Sequence, residues 1–479
     1  MCGIVGIIGR TPVAMQLYDS LIQLQHRGQD AAGIITCDSR LHFKTGTGFV
    51  RDIFEERHIR RLQGTMGIGH TRYPTSGDKA GNDEVQPFWT SVPNGIAFAH
   101  NGNIVNHKEL THEVIQNRRR YLNTTSDSEM LMQLFSSVLE KRLDGCESLA
   151  LSDEEFFSHI EKSVNEVFTL TRGSISAVSI IKDRGLVAFR DPHGIRPLVL
   201  GERMGTDGAK EYIVASENTM FYMLGYTLVR DILPGEAVYI TPQGKLFSKR
   251  IVTDAFNPCI FEYVYFSRPD AMMNSVSVYR ARLRMGQNLG KRWKQLYGEL
   301  RPDVIIPAPS TANTMALAMA KELQTNYSDG LYKNPFIGRT FIMPNQEERR
   351  QSVRYKLVPQ QLEIRNKVVM VVDDSIVRGT TSKEIVSMIR NFGAKEIYFI
   401  SACPPVIQPC FYGIDIPTKE ELIAANNPIE DIRTFLGVEI LLFQELEDLI
   451  EAVTRKGEHH IDEPCHACLG GPYIQGVPS

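Results

Sequence analysis

The sequence predicts a chain of two unlike α/β units, and three observations carry that prediction. The first half is a run of short apolar strands separated by Gly, Pro and Asn turns, the pattern of antiparallel sheet flanked by helices. The second half alternates apolar strands with amphipathic helices, the pattern of a parallel, doubly wound sheet. The length, 479 residues, exceeds what one ordinary core organises. A composition of 42% hydrophobic and 23% charged residues is that of a globular protein in water. A formal net charge of −3 without a dominant basic tract argues against a nucleic-acid partner. The short runs Arg118-Arg119-Arg120 and Arg349-Arg350 read as solvated helix faces. No apolar stretch approaches a membrane span, and the first residues lack the basic and apolar regions of a signal peptide. The expectation is a cytoplasmic protein whose thiols stay reduced.

The chain opens Met1-Cys2-Gly3-Ile4-Val5-Gly6-Ile7-Ile8-Gly9, a cysteine followed at once by a β-branched strand. Aminopeptidases remove methionine before a small residue, which would leave Cys2 with a free α-amine. Such an amine titrates at about pH 8, so its neutral fraction can take the thiol proton and activate the sulfur. Helices are expected over 15–25, 129–142 and 153–167, and strands over 176–181, 186–190, 212–215 and 237–241. Between them stand Gln25-His26-Arg27-Gly28-Gln29-Asp30, His70-Thr71-Arg72-Tyr73-Pro74-Thr75, His100-Asn101-Gly102-Asn103 and Thr125-Ser126-Asp127-Ser128-Glu129. The α-amine already supplies a base, so His26, His70 and His100 are read as packing or hydrogen-bonding residues. Residues 244–258 read as the boundary between the two units.

In the second unit, strands are expected over 304–307, 368–372 and 396–401, with helices over 314–323 and 383–392. The strand ending Val371-Val372 delivers Asp373 and Asp374 to its carboxyl end, where open α/β sheets bind ligands. Ser375-Ile376-Val377-Arg378-Gly379-Thr380-Thr381-Ser382 then opens a helix, and backbone N–H groups at such a start face an anion. No G-x-x-x-x-G-K-[ST] is present, which excludes a plain P-loop. Paired acids suit the two vicinal hydroxyls of a ribose, and Gly379-Thr380-Thr381 its 5-phosphate. The turn Pro307-Ala308-Pro309-Ser310-Thr311 is a second anion-binding candidate, with the Thr311 hydroxyl as a donor.

The segment 371–382 resembles the phosphoribosylpyrophosphate (PRPP) motif of type I phosphoribosyltransferases. The motifs around Cys2 resemble, in order, the glutaminase domain of N-terminal-nucleophile (class II) amidotransferases. With Phe189-Arg190-Asp191-Pro192-His193-Gly194 and Phe261-Glu262-Tyr263-Val264-Tyr265-Phe266, nearly the full length resembles the amidophosphoribosyltransferase family. The resemblance implies a four-layer αββα domain at 2–243, a phosphoribosyltransferase domain at 259–464 and a tail at 465–479. It implies Cys2 as nucleophile, Asn101 and Gly102 as oxyanion hole, and Arg72 and Asp127 as binders of the glutamine carboxylate and ammonium. Arg27 would organise the loop around Cys2. PRPP would be held by Asp373, Asp374, Ser375, Arg378, Gly379, Thr380, Thr381 and Ser382. A lid would bring Lys333 and Arg339 over it, although Pro335-Phe336 replaces the family's usual Arg-Tyr. Mg²⁺ would sit between Thr311, Asp373, Asp374 and the substrate oxygens. A homotetramer and feedback inhibition by purine nucleotides (AMP, GMP) are further implications, as is an aromatic ammonia passage, for which Tyr263, Phe266 and Phe341 are the candidates.

Cys259, Cys410, Cys465 and Cys468 supply a C-x-x-C and two distant thiols, a set for an iron–sulfur cluster or for zinc, unless all four remain plain thiols. Their contexts resemble the branch of the family with a 4Fe–4S cluster, although that branch commonly loses a propeptide and only Met1 precedes Cys2 here. Cys37, Cys146 and Cys403 read as ordinary thiols. Two other readings compete: a PRPP-sensing regulatory protein that does no chemistry, and an amidotransferase for a sugar phosphate. The first leaves the Cys2 motifs without a use, and the second lacks one for Asp373-Asp374.

Overall fold

The computed structural model describes residues 2–73, 84–146, 148–298, 300–334, 357–416, 418–455 and 460–478. Thirteen strands build the first unit: β1 (Gly3–Ile8), β2 (Ala31–Cys37), β3 (Leu41–Thr47), β4 (Met66–Arg72), β5 (Phe88–Thr90), β6 (Ile96–Ile104), β7 (Gly173–Ile181), β8 (Gly185–Arg190), β9 (Val199–Met204), β10 (Lys210–Ala215), β11 (Thr227–Asp231), β12 (Glu236–Ile240) and β13 (Leu246–Arg250). They form two antiparallel sheets, ordered β11-β9-β10-β1-β4-β2-β3 and β13-β12-β8-β7-β6-β5.

Strand alternation decides the layers. Along β1, Ile4 and Ile8 pack between the sheets with Ile68, Val178 and Leu186. Val5 and Ile7 turn outward onto Leu17 and Leu21 of the helix Ala14–Gln23. On the far side, Phe98 and Phe189 pack against Phe135 of the helix Asp127–Leu143 and Ile160 of the helix Asp153–Leu170. The result is the expected αββα stack, and each large apolar side chain so buried contributes about 1.5–3 kcal/mol before entropy is counted.

The second unit holds a five-stranded parallel sheet, ordered Asn326–Tyr327, Val304–Pro307, Val368–Asp373, Glu396–Ser401, Ile440–Phe443. Val368–Asp373 is central and apolar on both faces, with Met370 and Val372 in one core and Val369 and Val371 in the other. The doubly wound sheet is therefore present as expected. Among the described residues no helix is long and apolar enough to cross a membrane.

Three features differ from expectation. β13 pairs with β12, so the antiparallel unit runs past residue 243 into the expected boundary. The helix opening the phosphate loop starts at Thr380, not 383, which turns Thr380, Thr381 and Ser382 into its first turn. A 20-residue helix, Val278–Tyr297, and a π-helical turn, Glu262–Phe266, were not foreseen. The tail is no appendage either: the backbone of Cys465 pairs with that of Cys259 in an isolated parallel β-bridge, both thiols staying free, and Gln475 N donates to Tyr412 Oη at 2.8 Å.

Candidate functional site

Cys2 stands at the head of β1, 8% exposed, where β1 is pinned between β4 and β10. Its N donates to Asn101 Oδ1 at 3.2 Å and its Sγ to the Tyr73 carbonyl at 3.7 Å. Asn101 lies on β6, and its buried Nδ2 has no hydrogen-bond partner among the described residues. A buried, unsatisfied donor is costly unless a ligand comes to occupy it. Next to it, a Cβ on Gly102 would fall 2.0 Å from the Ser174 carbonyl oxygen and 2.5 Å from His100 Nε2. Only glycine fits between β6 and β7 there.

Asp127 begins its helix with Ser126 as the N-cap, and its Oδ2 accepts from Ile104 N at 2.9 Å, tying the helix to the end of β6. Arg72 ends β4, and its Nη2 meets Glu84 Oε2 at 2.7 Å, both groups buried. Thr125 Oγ1 donates to the other oxygen of Glu84 at 2.7 Å. Glu84 was not anticipated. His100 donates Nε2–H to the Ser174 carbonyl at 3.2 Å while Nδ1 lies 3.1 Å from Ser128 Oγ. Burial, Arg72 and then His100 push His70 down to about 3, so it stays neutral. His26 contacts Glu217 at 2.8 Å. His26 and His100 are thus hydrogen-bonded to their neighbours, whereas neither buried ring nitrogen of His70 has a partner among the described residues.

Arg27 Nε donates to the Cys2 carbonyl at 3.0 Å, while its other nitrogens reach Glu217 at 2.5 Å and Glu262 at 2.8 Å. Burial opposes ionisation of both acids, but His26 and Arg27 around Glu217, and Arg27 and Arg196 around Glu262, outweigh it and hold both below the usual carboxylate range. Neither acid was anticipated. The signal was a single acid inside an apolar run, Val214-Ala215-Ser216-Glu217 and Phe261-Glu262-Tyr263.

A cavity of about 500 Å³ opens at the carboxyl end of the parallel sheet. Its walls bring together Thr311, Lys333, Asp373, Asp374, Ser375, Arg378, Gly379, Thr380, Thr381 and Ser382. Gly379 caps the helix at φ +75, a left-handed conformation that favours glycine. Asp374 N donates to Asp373 Oδ1 at 2.9 Å, and Ser375 Oγ to Asp374 Oδ1 at 2.8 Å. Burial and then the Asp374 charge raise the Asp373 carboxyl, and burial raises Asp374. Arg378 Nε meets Glu421 at 2.7 Å on the surface. Arg339 and Phe341 lie outside the described residues. Of the expected passage residues, Phe266 lines the cavity, whereas the Tyr263 hydroxyl accepts from Asn274 Nδ2 at 2.8 Å and lies off its wall.

Tyr73 joins the two sites: it lines the cavity, packs edge-on against Phe266 at 6.2 Å, and its carbonyl accepts from Cys2 Sγ. On the other flank, Asn103 Nδ2 donates to the Phe411 carbonyl at 2.9 Å and Ser174 Oγ to the Tyr412 carbonyl at 2.9 Å. The segment after Cys410 is thus docked on the Asn101 strand.

Among the described residues no group of three or more His, Cys, Asp or Glu is disposed around a single metal ion. A magnesium ion is often held by only one or two carboxylates, with substrate oxygens and water completing its shell. The adjacent, buried, mutually repelling Asp373 and Asp374 fit such a cation. Burial and then Cys410, Cys259, Cys465 and Cys403 raise the Cys468 thiol, and burial, opposed by Arg196 and reinforced by Cys410, raises that of Cys259. Cys259 and Cys468 are buried and Cys410 and Cys465 partly so, and four such thiols are a ligand set for an iron–sulfur cluster or for zinc.

A glutamine amidotransferase domain model matches residues 70–223. Over 99% of this chain and 93% of the relative, the chain is 47% identical to an amidophosphoribosyltransferase of Pseudomonas aeruginosa. It is 48% identical to that of Escherichia coli over 95% of this chain and 88% of the relative, and 45% identical to that of Saccharomyces cerevisiae over 100% and 93%. A solved glutamine PRPP amidotransferase from B. subtilis, complexed with ADP and GMP, superposes with a TM-score of 0.84 at 34% identity, covering 99% of this chain and 97% of that one. The chain belongs to the amidophosphoribosyltransferase family, glutamine-dependent transferases with a glutaminase domain that act at the first step of purine biosynthesis.

Proposed function

We propose that the two sites divide the reaction as follows. With Met1 removed, the Cys2 α-amine takes the thiol proton, and the sulfur attacks the glutamine carboxamide carbon. The oxygen of the tetrahedral intermediate enters the position faced by Asn101 Nδ2 and the Gly102 N–H, donors fixed before the reaction starts. The amine returns its proton to the leaving nitrogen, ammonia departs and a thioester remains, which water hydrolyses to glutamate. Arg72, steadied by Glu84, takes the substrate α-carboxylate, and Asp127 its ammonium.

At the second site Asp373 and Asp374 hold the ribose hydroxyls, and the first turn from Gly379 to Ser382 holds the 5-phosphate. Thr311 and the paired acids would hold Mg²⁺, which when bound neutralises the pyrophosphate as it leaves. Ammonia attacks C1, pyrophosphate leaves, and 5-phosphoribosylamine forms after loss of a proton. In open water ammonia would be protonated and lost as a nucleophile, so the route past Phe266 must exclude water. Cys259, Cys410, Cys465 and Cys468 would hold a 4Fe–4S cluster that fastens the tail to the segment after Cys410. Purine nucleotide feedback, a homotetramer and a cytoplasmic location complete the proposal; ADP and GMP in the solved relative support the first.

The carrying observation is Tyr73, one residue that walls the ribose-phosphate cavity and accepts from the nucleophile. Glutamate and pyrophosphate are measured together with glutamine, PRPP and Mg²⁺. Equal amounts support coupled transfer, whereas glutamate release without pyrophosphate supports the PRPP sensor. Anaerobic iron and acid-labile sulfide assays decide the cluster: about four of each per chain, or none.

A further inference from the structure

The buried turn Glu262–Phe266 touches both sites. At one end Glu262 receives Arg27 Nη1 at 3.1 Å and Nη2 at 2.8 Å, and Arg27 holds the Cys2 carbonyl. At the other, Tyr265 and Phe266 wall the ribose-phosphate cavity, and Phe266 abuts Tyr73. A π-helical turn is rare, and one side chain holds this one in place.

That holder is Arg282, 2% exposed on the helix Val278–Tyr297. Its Nε donates to the Tyr263 carbonyl at 2.9 Å, and its Nη2 to the carbonyls of Tyr265 at 3.2 Å and Ser267 at 2.8 Å. Three carbonyls at the end of one turn are gathered by one planar fork, a geometry a lysine point charge cannot reproduce. Burial lowers the Arg282 guanidinium to about 10 while Asp374 on the transferase side and Glu217 on the glutaminase side oppose that fall, so it keeps its charge at neutral pH.

We propose that Arg282 is a positioning residue that makes the 262–267 turn a rigid lever, so that filling the ribose-phosphate cavity is transmitted through Glu262 and Arg27 to Cys2. This rests on the two-site reading above. Coupling requires an element with two arrangements whose balance both ligands bias, and this turn touches both sites. Without Arg282 the turn loosens, and glutamine is cleaved whether or not PRPP is there to receive ammonia.

The test compares full-length wild type, Arg282→Lys and Arg282→Met, reading glutamate and pyrophosphate from the same reaction and glutamate release with and without PRPP. In Arg282→Met the stimulation of glutamate release by PRPP is expected to fall at least about fivefold, with glutamate per pyrophosphate rising well above one. Arg282→Lys is expected to fall between. A merely structural role lowers both products together and leaves their ratio unchanged, and that result overturns the proposal. If Arg282→Met does not fold, Arg282→Lys decides by the same ratio, and a wild-type ratio there overturns the proposal. A wild type that forms no pyrophosphate from PRPP even with ammonia supplied overturns the two-site reading itself, and the lever with it.

Discussion

Around Cys2 the neighbours are already held in place, whereas around Asp373 and Asp374 two buried carboxylates each raise their hold on protons and wait for a counter-charge. Asn101, Arg27, Asp127 and Arg72 each have partners that fix them, and of these side chains only Asn101 Nδ2 is a buried donor left over. In the cavity at the end of the parallel sheet the Asp373 carboxylate accepts from the Asp374 backbone N–H and the Asp374 carboxylate from Ser375 Oγ. A hydrolytic site works by preorganisation. A transfer site that must not act without its charged substrate can leave its electrostatics to be completed by that substrate. A preset first site can release ammonia before the second is filled, so matching the two falls to the contacts between them.

The contrast breaks most sharply at the nucleophile. Cys2→Ala is expected to lower glutamine-dependent phosphoribosylamine formation by roughly four orders of magnitude or more, while ammonia-dependent formation persists; loss of both would mean the sites are not separable. Asp374→Asn is the mirror experiment. Both synthetic routes should fall by about 10²–10³-fold, with glutamate release in the absence of PRPP retained, as measured by product assays at saturating Mg²⁺.

Smaller effects sharpen the idea of a preset glutaminase site. Gly102→Ala forces a Cβ against the Ser174 carbonyl and should cost about 1–3 kcal/mol in urea unfolding. An unchanged midpoint would show that β6 can shift. His70 gives the smallest. Its folded value, held down to about 3, lies below the 6.5 of the unfolded chain, so acidification protonates the unfolded chain first. Its contribution is complete above pH 6.5 and is lost below it, by about 1.4 kcal/mol per pH unit. Unfolding free energies at pH 6.5 and 5 should therefore differ less in His70→Asn than in wild type.

Much of this was legible because it is local. The strands Val304–Pro307 and Glu396–Ser401 are apolar throughout, as strands covered on both faces must be, and their bounds emerged as expected. The helix Val278–Tyr297 escaped because its buried stripe, Val278, Ala281, Met285, Leu289 and Trp293, is interrupted by Arg282, Gly286 and Gly290, which are buried as well. A buried arginine reads as a surface residue until its carbonyl partners are seen. Glu84, Glu217 and Glu262 escaped for a similar reason: Arg27 and Glu262 are separated by 235 positions, and neither residue type announces the other.

The sequence by itself determined the two layered units and the places of Cys2, Asp373-Asp374 and the Gly379–Ser382 turn within them, since each is a short run readable without distant neighbours. Only the tertiary structure decided how they are joined: Tyr73 set in both sites, the segment after Cys410 seated on the Asn101 strand, and Arg282 holding the turn between them. Those contacts bury charges and carbonyls that must be satisfied by groups far off in the chain, and long-range satisfaction leaves no local pattern to read.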